Sequence, residues 1–155
     1  MKAKKSLGQN FLKSEIALRK IIEAGEIKSD DIILEIGPGR GALTEKLLEK
    51  AGQVMAVEKD RELFEFLQTK FEKEIASNTL ILVCADILEF DTRTYNLDTR
   101  TYKIIANIPY NITGAILKKF LTADHQPEMM VLMVQHEVAK RIMARDGKES
   151  ILSIS

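Results

Sequence analysis

Five short, almost unbroken apolar runs recur along this chain, most of them followed by a longer stretch whose apolar residues return at helical spacing. The runs are Ile32-Ile33-Leu34-Glu35-Ile36, Val54-Met55-Ala56-Val57, Leu80-Ile81-Leu82-Val83, Lys103-Ile104-Ile105-Ala106 and Met129 to Val134. A strand with one face in water alternates polar and apolar residues; these do not, so both of their faces must be covered. A parallel sheet with helices packed above and below meets that condition. The intervening stretches supply the helices. Residues 14–24 place Ile16, Ile21 and Ile22 on one face, with Ser14 positioned to cap, and residues 42–50 do the same with Leu43, Leu47 and Leu48. A helix from Arg61 to about Phe71, capped by Asp60, turns Leu63, Phe64, Leu67 and Phe71 inward. Residues 113–121 use Ile116, Leu117 and Phe120, and Glu137 to Ala144 form a last helix. The expected fold is an α/β domain with a doubly wound, mainly parallel sheet, and 155 residues with 45% hydrophobic content suffice for one such core.

Open sheets of this kind bind ligands outside the carboxyl ends of their strands, near the point where strand order reverses. The residues after each strand are therefore the candidates. After the first comes Gly37-Pro38-Gly39-Arg40-Gly41. Glycines permit a tight turn and a close ligand approach. The pattern G-x-G-x-G is not the G-x-G-x-x-G that seats a pyrophosphate, and Pro38 removes a backbone donor. Both points favour a ligand with an adenosine and a compact zwitterionic tail, such as S-adenosylmethionine, over a dinucleotide. After the second strand comes Glu58, about 20 residues beyond Gly37, where a carboxylate can accept from both ribose hydroxyls. After the third comes Asp86, able to accept from an adenine amino group, with the Ile87 N–H available to a ring nitrogen; an ordinary Asx turn is the bland alternative. Lys59 and Asp60 read as surface and cap.

After the fourth strand comes Asn107-Ile108-Pro109-Tyr110, the sharpest signal. The exocyclic N6 amine of adenine is a poor nucleophile because its lone pair is delocalised into the ring. It needs acceptors that favour a pyramidal geometry with the lone pair aimed at the methyl group. The Asn107 side-chain carbonyl and a backbone carbonyl held in place by Pro109 provide them without carrying charge. Tyr110 offers a face on which a flipped-out base stacks, worth about 1–3 kcal/mol. Asn107, Pro109 and Tyr110 are thus the catalytic candidates. No histidine base is needed, because the N6 proton becomes acidic once the amine is alkylated.

Other features bound the function more weakly. Basic and acidic residues balance at 23 each, so composition neither supports nor strongly opposes a nucleic-acid partner. The lone Cys84 sits in an apolar run and reads as a small buried hydrophobe; it cannot form an internal disulfide, which suits a reducing compartment. No run approaches a membrane span and no apolar signal stretch follows the basic N-terminus, so a cytoplasmic location is expected. His125 and His136 belong to no ligand-spaced cluster, so no metal is expected. Lys118-Lys119 and Lys140-Arg141 with Arg145 read as solvated helix faces that could meet phosphates. Asp91-Thr92-Arg93-Thr94-Tyr95 recurs as Asp98-Thr99-Arg100-Thr101-Tyr102, a local duplication that reads as a surface loop with no chemical role.

The chain resembles the ribosomal RNA adenine N6,N6-dimethyltransferases. The matching segments are Leu7-Gly8-Gln9-Asn10-Phe11-Leu12, Glu35 to Thr44, Val57 to Asp60, Ala85-Asp86, Ala106 to Thr113 and Val134 to Ala139, in the family's order and across nearly the whole chain. The resemblance implies a Rossmann-like class I methyltransferase fold with S-adenosyl-L-methionine as cofactor. It implies that Gln9 to Leu12 close over that cofactor and that Asn10, Leu12, Gly37, Glu58, Asp86 and Asn107 contact it; the residues after the strands add Gly39 and Ile87 to the cofactor-binding candidates. The implied substrate is adenine in small-subunit ribosomal RNA, in the small subunit or its precursor. Gly8 and the Gly37-Pro38-Gly39 form set the chain apart from the large-subunit enzymes of antibiotic resistance, the nearer alternative. A non-catalytic binding relative would have no use for the Asn107–Tyr110 acceptors, and the absent G-x-G-x-x-G speaks against an oxidoreductase; a small-molecule methyltransferase is a further alternative. Family members continue past the equivalent of Ser155 with two more strands and a small helical domain that helps hold RNA. Residues 1–155 are therefore expected to be an incomplete cofactor-binding catalytic domain, truncated before the last two strands and lacking that helical domain. The strand Met129 to Val134 would then be an exposed apolar edge that invites self-association.

Overall fold

The computed structural model describes residues 15–107, 110–135 and 149–154. Its elements match the apolar pattern closely. They are α1 (Glu15–Gly25), β1 (Ile32–Ile36), α2 (Ala42–Lys50), β2 (Gln53–Glu58), α3 (Arg61–Lys70), α4 (Glu72–Ala76), β3 (Leu80–Cys84), β4 (Lys103–Asn107), α5 (Tyr110–Leu121), β5 (Met129–Gln135) and β6 (Glu149–Ile154). The expected cap Ser14 and the expected helix over 137–144 lie outside the described residues. Asp60 does cap α3, its side chain accepting from the N–H groups of Glu62 and Leu63. The short α4, not expected from periodicity, begins directly after Phe71.

The strands form one parallel sheet in the order β3-β2-β1-β4-β5-β6. Order reverses at β1, which pairs with β2 on one side and β4 on the other. The carboxyl ends of β1 and β4 therefore flank the crevice where such sheets take ligands.

Alternation along each strand feeds two cores. Leu34, Met55, Val57, Ile104, Ala106, Met130 and Leu132 pack with Ile116 and Phe120 of α5 on one face. Ile33, Val54, Ala56, Ile105, Val131 and Met133 pack with Leu18 and Ile21 of α1, Leu43 and Leu47 of α2, and Leu67 of α3 on the other. At the amino end of β4, the buried Lys103 ammonium donates to the carbonyls of Gly25 (2.9 Å) and Glu26 (2.8 Å) and pairs with Asp31 at 2.9 Å. That cluster pins the end of α1 to the sheet, at the end opposite Asn107.

Three expectations are corrected. The strand at 129–134 is not an exposed edge, and the sheet does not stop at five strands: β6 pairs along its length, from Met130 opposite Glu149 to Gln135 opposite Ile154. An open row of backbone groups on β5 is satisfied by the next apolar segment of the chain, Ile151-Leu152-Ser153-Ile154. The premise for self-association through β5 is thereby removed. Cys84 is exposed rather than buried, because β3 is the edge strand and Cys84 ends it. The duplicated pentapeptide is not wholly a surface loop. In its first copy Asp91 accepts from Arg93, and Tyr95 stacks on Phe90 with centroids 5.4 Å apart. In the second, Tyr102 is 1% exposed, because it leads directly into the buried strand β4.

Candidate active site

The first wall of the crevice is the turn after β1. Gly37 adopts φ 71°, its N–H donates to the Val57 carbonyl at 3.0 Å, and a Cβ there would come within 2.9 Å of the Asn107 carbonyl oxygen. Only glycine allows β1 and β4 to close so tightly at the reversal point. Gly39, at φ 60°, is the opposite case: a Cβ would meet nothing within 4 Å among the described residues.

Glu58, at the end of β2, is 7% exposed. One carboxylate oxygen accepts from the Gly39 N–H at 3.1 Å and the other from the Asp60 N–H at 2.9 Å. Burial pushes its pKa up, while those backbone donors pull it back. Each carboxylate oxygen has a second lone-pair direction, so Glu58 ties the glycine turn to β2 and keeps capacity for two hydroxyl donors.

Sequence reasoning gave no role to a second buried acid, Glu35, in β1 two residues before Gly37. It is 1% exposed and accepts from the Thr44 hydroxyl of α2 at 2.6 Å. Burial raises its pKa to about 8, the Thr44 bond opposes this, and the charge on Glu58 adds to it. Burial thus favours the protonated form of Glu35. The signal was present: a carboxylate interrupting an otherwise apolar strand.

After β3, Asp86 does form an Asx turn, accepting from the Leu88 N–H at 3.0 Å. That bond is the main cause holding its pKa below the usual carboxylate range; Lys59, 3.4 Å from its other oxygen, adds to it. The turn and a ligand role are compatible, because the second oxygen lies beside the exposed Lys59 side chain and takes no part in the turn. Ile87, next in the chain, is buried.

The opposite wall is the end of β4. Asn107 is held in register by β5, opposite Met133. Its side-chain oxygen is buried and has no hydrogen-bond partner among the described residues. Such an atom costs about 1–3 kcal/mol unless a donor meets it. Tyr110 opens α5. Asn10, Leu12, Ile108 and Pro109 lie outside the described residues.

The structure thus brings Gly37, Gly39, Glu58, Asp86, Ile87 and Asn107 to one end of one sheet. Its acceptor set suits an adenosine with a compact tail: carboxylates at Glu58 and Asp86, a glycine turn, and an Asn107 oxygen with no partner among the described residues. His125 takes no part; its ring nitrogen lies 2.6 Å from the Arg100 carbonyl. Among the described residues no group of side chains could hold a metal, and no helix is long and apolar enough to cross a membrane. Lys118 is solvated as expected, but Lys119 turns inward.

Comparison with known proteins agrees with this geometry. The family described as ribosomal RNA adenine dimethylase matches residues 1–155. The chain is 46% identical to ribosomal RNA small subunit methyltransferase A of Dehalococcoides mccartyi (strain CBDB1) over 155 residues, covering 100% of this chain and 52% of that relative. It spans about half the length of the curated relatives it matches first. Among solved structures it is similar to the 23S rRNA methyltransferase ErmE (TM-score 0.74, 31% identity, 85% of this chain and 50% of that one). It is also similar to a dimethyladenosine transferase from Plasmodium falciparum (TM-score 0.68, 32% identity, 80% of this chain and 42% of that one).

Proposed function

The chain belongs to the ribosomal RNA adenine dimethylase family, and from that premise we propose that residues 1–155 form the S-adenosylmethionine-binding catalytic unit of an enzyme that dimethylates N6 of adenines in small-subunit ribosomal RNA. One observation carries the proposal: the buried side-chain oxygen of Asn107, which has no partner among the described residues, stands at the end of β4, next to the glycine turn. A binding module has no use for an acceptor kept free at this cost. An N6-methylating enzyme needs one. The small-subunit target is favoured over the large-subunit one by the relatives named for the small subunit, which share more of the sequence than ErmE does.

S-adenosylmethionine, when bound, supplies a methyl group on a positively charged sulfur. The chain's own residues do the rest. Glu58 accepts from the ribose hydroxyls through the lone pairs its two backbone donors leave open. Asp86 accepts from the amino group of the cofactor's adenine, and the Ile87 N–H meets a ring nitrogen. Asn10 and Leu12 close over the same ligand. At the other wall, the Asn107 oxygen and the Pro109 carbonyl accept from the N6 amine of the target base, which localises its lone pair. Tyr110 stacks the flipped base. These acceptors are uncharged, so the amine is oriented without being deprotonated first, and its proton leaves to solvent once the nitrogen is alkylated. The working place is the cytoplasm, with the small ribosomal subunit or its precursor as partner.

Calorimetric titration with S-adenosylmethionine and S-adenosylhomocysteine tests the cofactor half of this function. Saturable binding of both to one site is expected. A folded sample that binds neither would overturn it.

A further inference from the structure

The turn that carries Asp86 is not held by β3 alone. About two and a half turns along α5 from Tyr110, the half-buried Lys119 donates from its ammonium to the Ile87 carbonyl at 2.7 Å and to the Phe90 carbonyl. Those carbonyls bracket the segment after Asp86. The Glu89 N–H donates to the Asp86 carbonyl at 2.9 Å, and the Phe90 N–H donates to the Ile87 carbonyl at 3.3 Å. Ile87 and Phe90 are each 5% exposed, so the turn is anchored by packing at both ends and closed by a cation between them. The neighbouring Lys118 is exposed. Lys119 departs from a solvated helix lysine although burial disfavours its charge; Asp91 and Asp86 favour it. An ammonium shared by two carbonyls is a strong, directional tie, and it runs from the helix that begins at the acceptor segment to the turn that faces the cofactor's adenine.

We propose that Lys119 is a positioning residue for recognition of the cofactor's adenine ring, fixing the Asp86–Phe90 turn so that the Asp86 carboxylate and the Ile87 N–H meet the base edge together. The proposal rests on the assignment of Asp86 and Ile87 to that ring. It goes further in naming what gives the site its preference for a 6-amino purine. Lys119 touches neither ligand nor reacting atoms; it acts through backbone carbonyls.

The test compares affinities for S-adenosylhomocysteine and S-inosylhomocysteine, in which a carbonyl replaces the 6-amino group. The wild-type chain is expected to prefer the adenosine form. Lys119→Met should weaken S-adenosylhomocysteine about tenfold and S-inosylhomocysteine less than about twofold, so that the preference collapses. Lys119→Gln, which keeps a shorter, uncharged donor on the same face of α5, should fall between them and carries the test if the methionine variant does not fold. Equal weakening of both ligands would mean only a looser fold and would overturn the proposal, as would an unchanged preference in both variants. A wild-type chain that binds S-adenosylhomocysteine without preference over the inosine form would remove the assignment of Asp86 itself. One that binds neither would remove the cofactor site.

Discussion

Glu58 and Asn107 end neighbouring parts of the same sheet, and their side-chain oxygens meet opposite fates. Both oxygens of Glu58 are engaged by backbone N–H groups of the chain itself. The oxygen of Asn107 is buried too and is engaged by nothing among the described residues. The first arrangement builds a wall: it holds the glycine turn in shape before any ligand arrives. The second leaves an acceptor whose cost is recovered only when a donor enters. In the proposed function binding and chemistry are divided between these two strand ends, and substitutions should separate them.

The largest effect is expected at the free acceptor. Asn107→Ala should lower methyl transfer about 100-fold or more while S-adenosylhomocysteine affinity changes by no more than a few-fold, measured by single-turnover transfer and calorimetry. A parallel loss of both would erase the division. Glu58→Gln should do the reverse. One carboxylate oxygen becomes an NH2 donor facing a backbone N–H, so cofactor affinity should fall about 10- to 100-fold while saturating cofactor restores most of the turnover. Tyr110→Ala should raise KM for RNA by about tenfold, from lost stacking, with KM for S-adenosylmethionine unchanged. If the cofactor KM moved equally, Tyr110 would belong to the binding wall instead.

A last prediction is a control on the wall, read in stability and not in activity. Glu35 is buried like Glu58 but has one hydroxyl partner, and its pKa rises from 4.5 to about 8. The folded chain therefore keeps a proton that the unfolded chain loses. The stability this contributes is complete below pH 4.5 and disappears as pH rises to about 8. Unfolding midpoints in denaturant should show wild type losing stability across that window relative to Glu35→Gln, which cannot titrate. Parallel pH profiles for the two would mean that Glu35 is ionised in the folded chain.

The sheet was legible because its strands are apolar on both faces, and each of β1 to β5 was placed to within a residue at its ends. The proposed cofactor wall is placed by position alone: Gly37, Glu58 and Asp86 each follow a strand, and the structure brings them to one end of the sheet. What escaped was set by tertiary packing. Glu35 and Thr44 are nine positions apart and meet only when α2 folds onto β1. Lys118 and Lys119 are indistinguishable in sequence, and only the rotation of α5 sends one to water and the other to two carbonyls. Tyr95 and Tyr102 end identical pentapeptides, yet only Tyr102 runs straight into a buried strand, and that neighbour carries it into the core. The sixth strand was missed because its short apolar run reads as a chain end until β5 offers it an edge.

The central claim is that this sheet end methylates adenine at N6, and nucleoside analysis of the product tests it most directly. Small ribosomal subunits lacking the modification, incubated with excess chain and S-adenosylmethionine, digested and separated by mass spectrometry, should yield N6-methylated and N6,N6-dimethylated adenosine, and far less of both with Asn107→Ala. Methyl groups on any other atom, or equal yield from Asn107→Ala, would contradict the role given to the free oxygen at the end of β4.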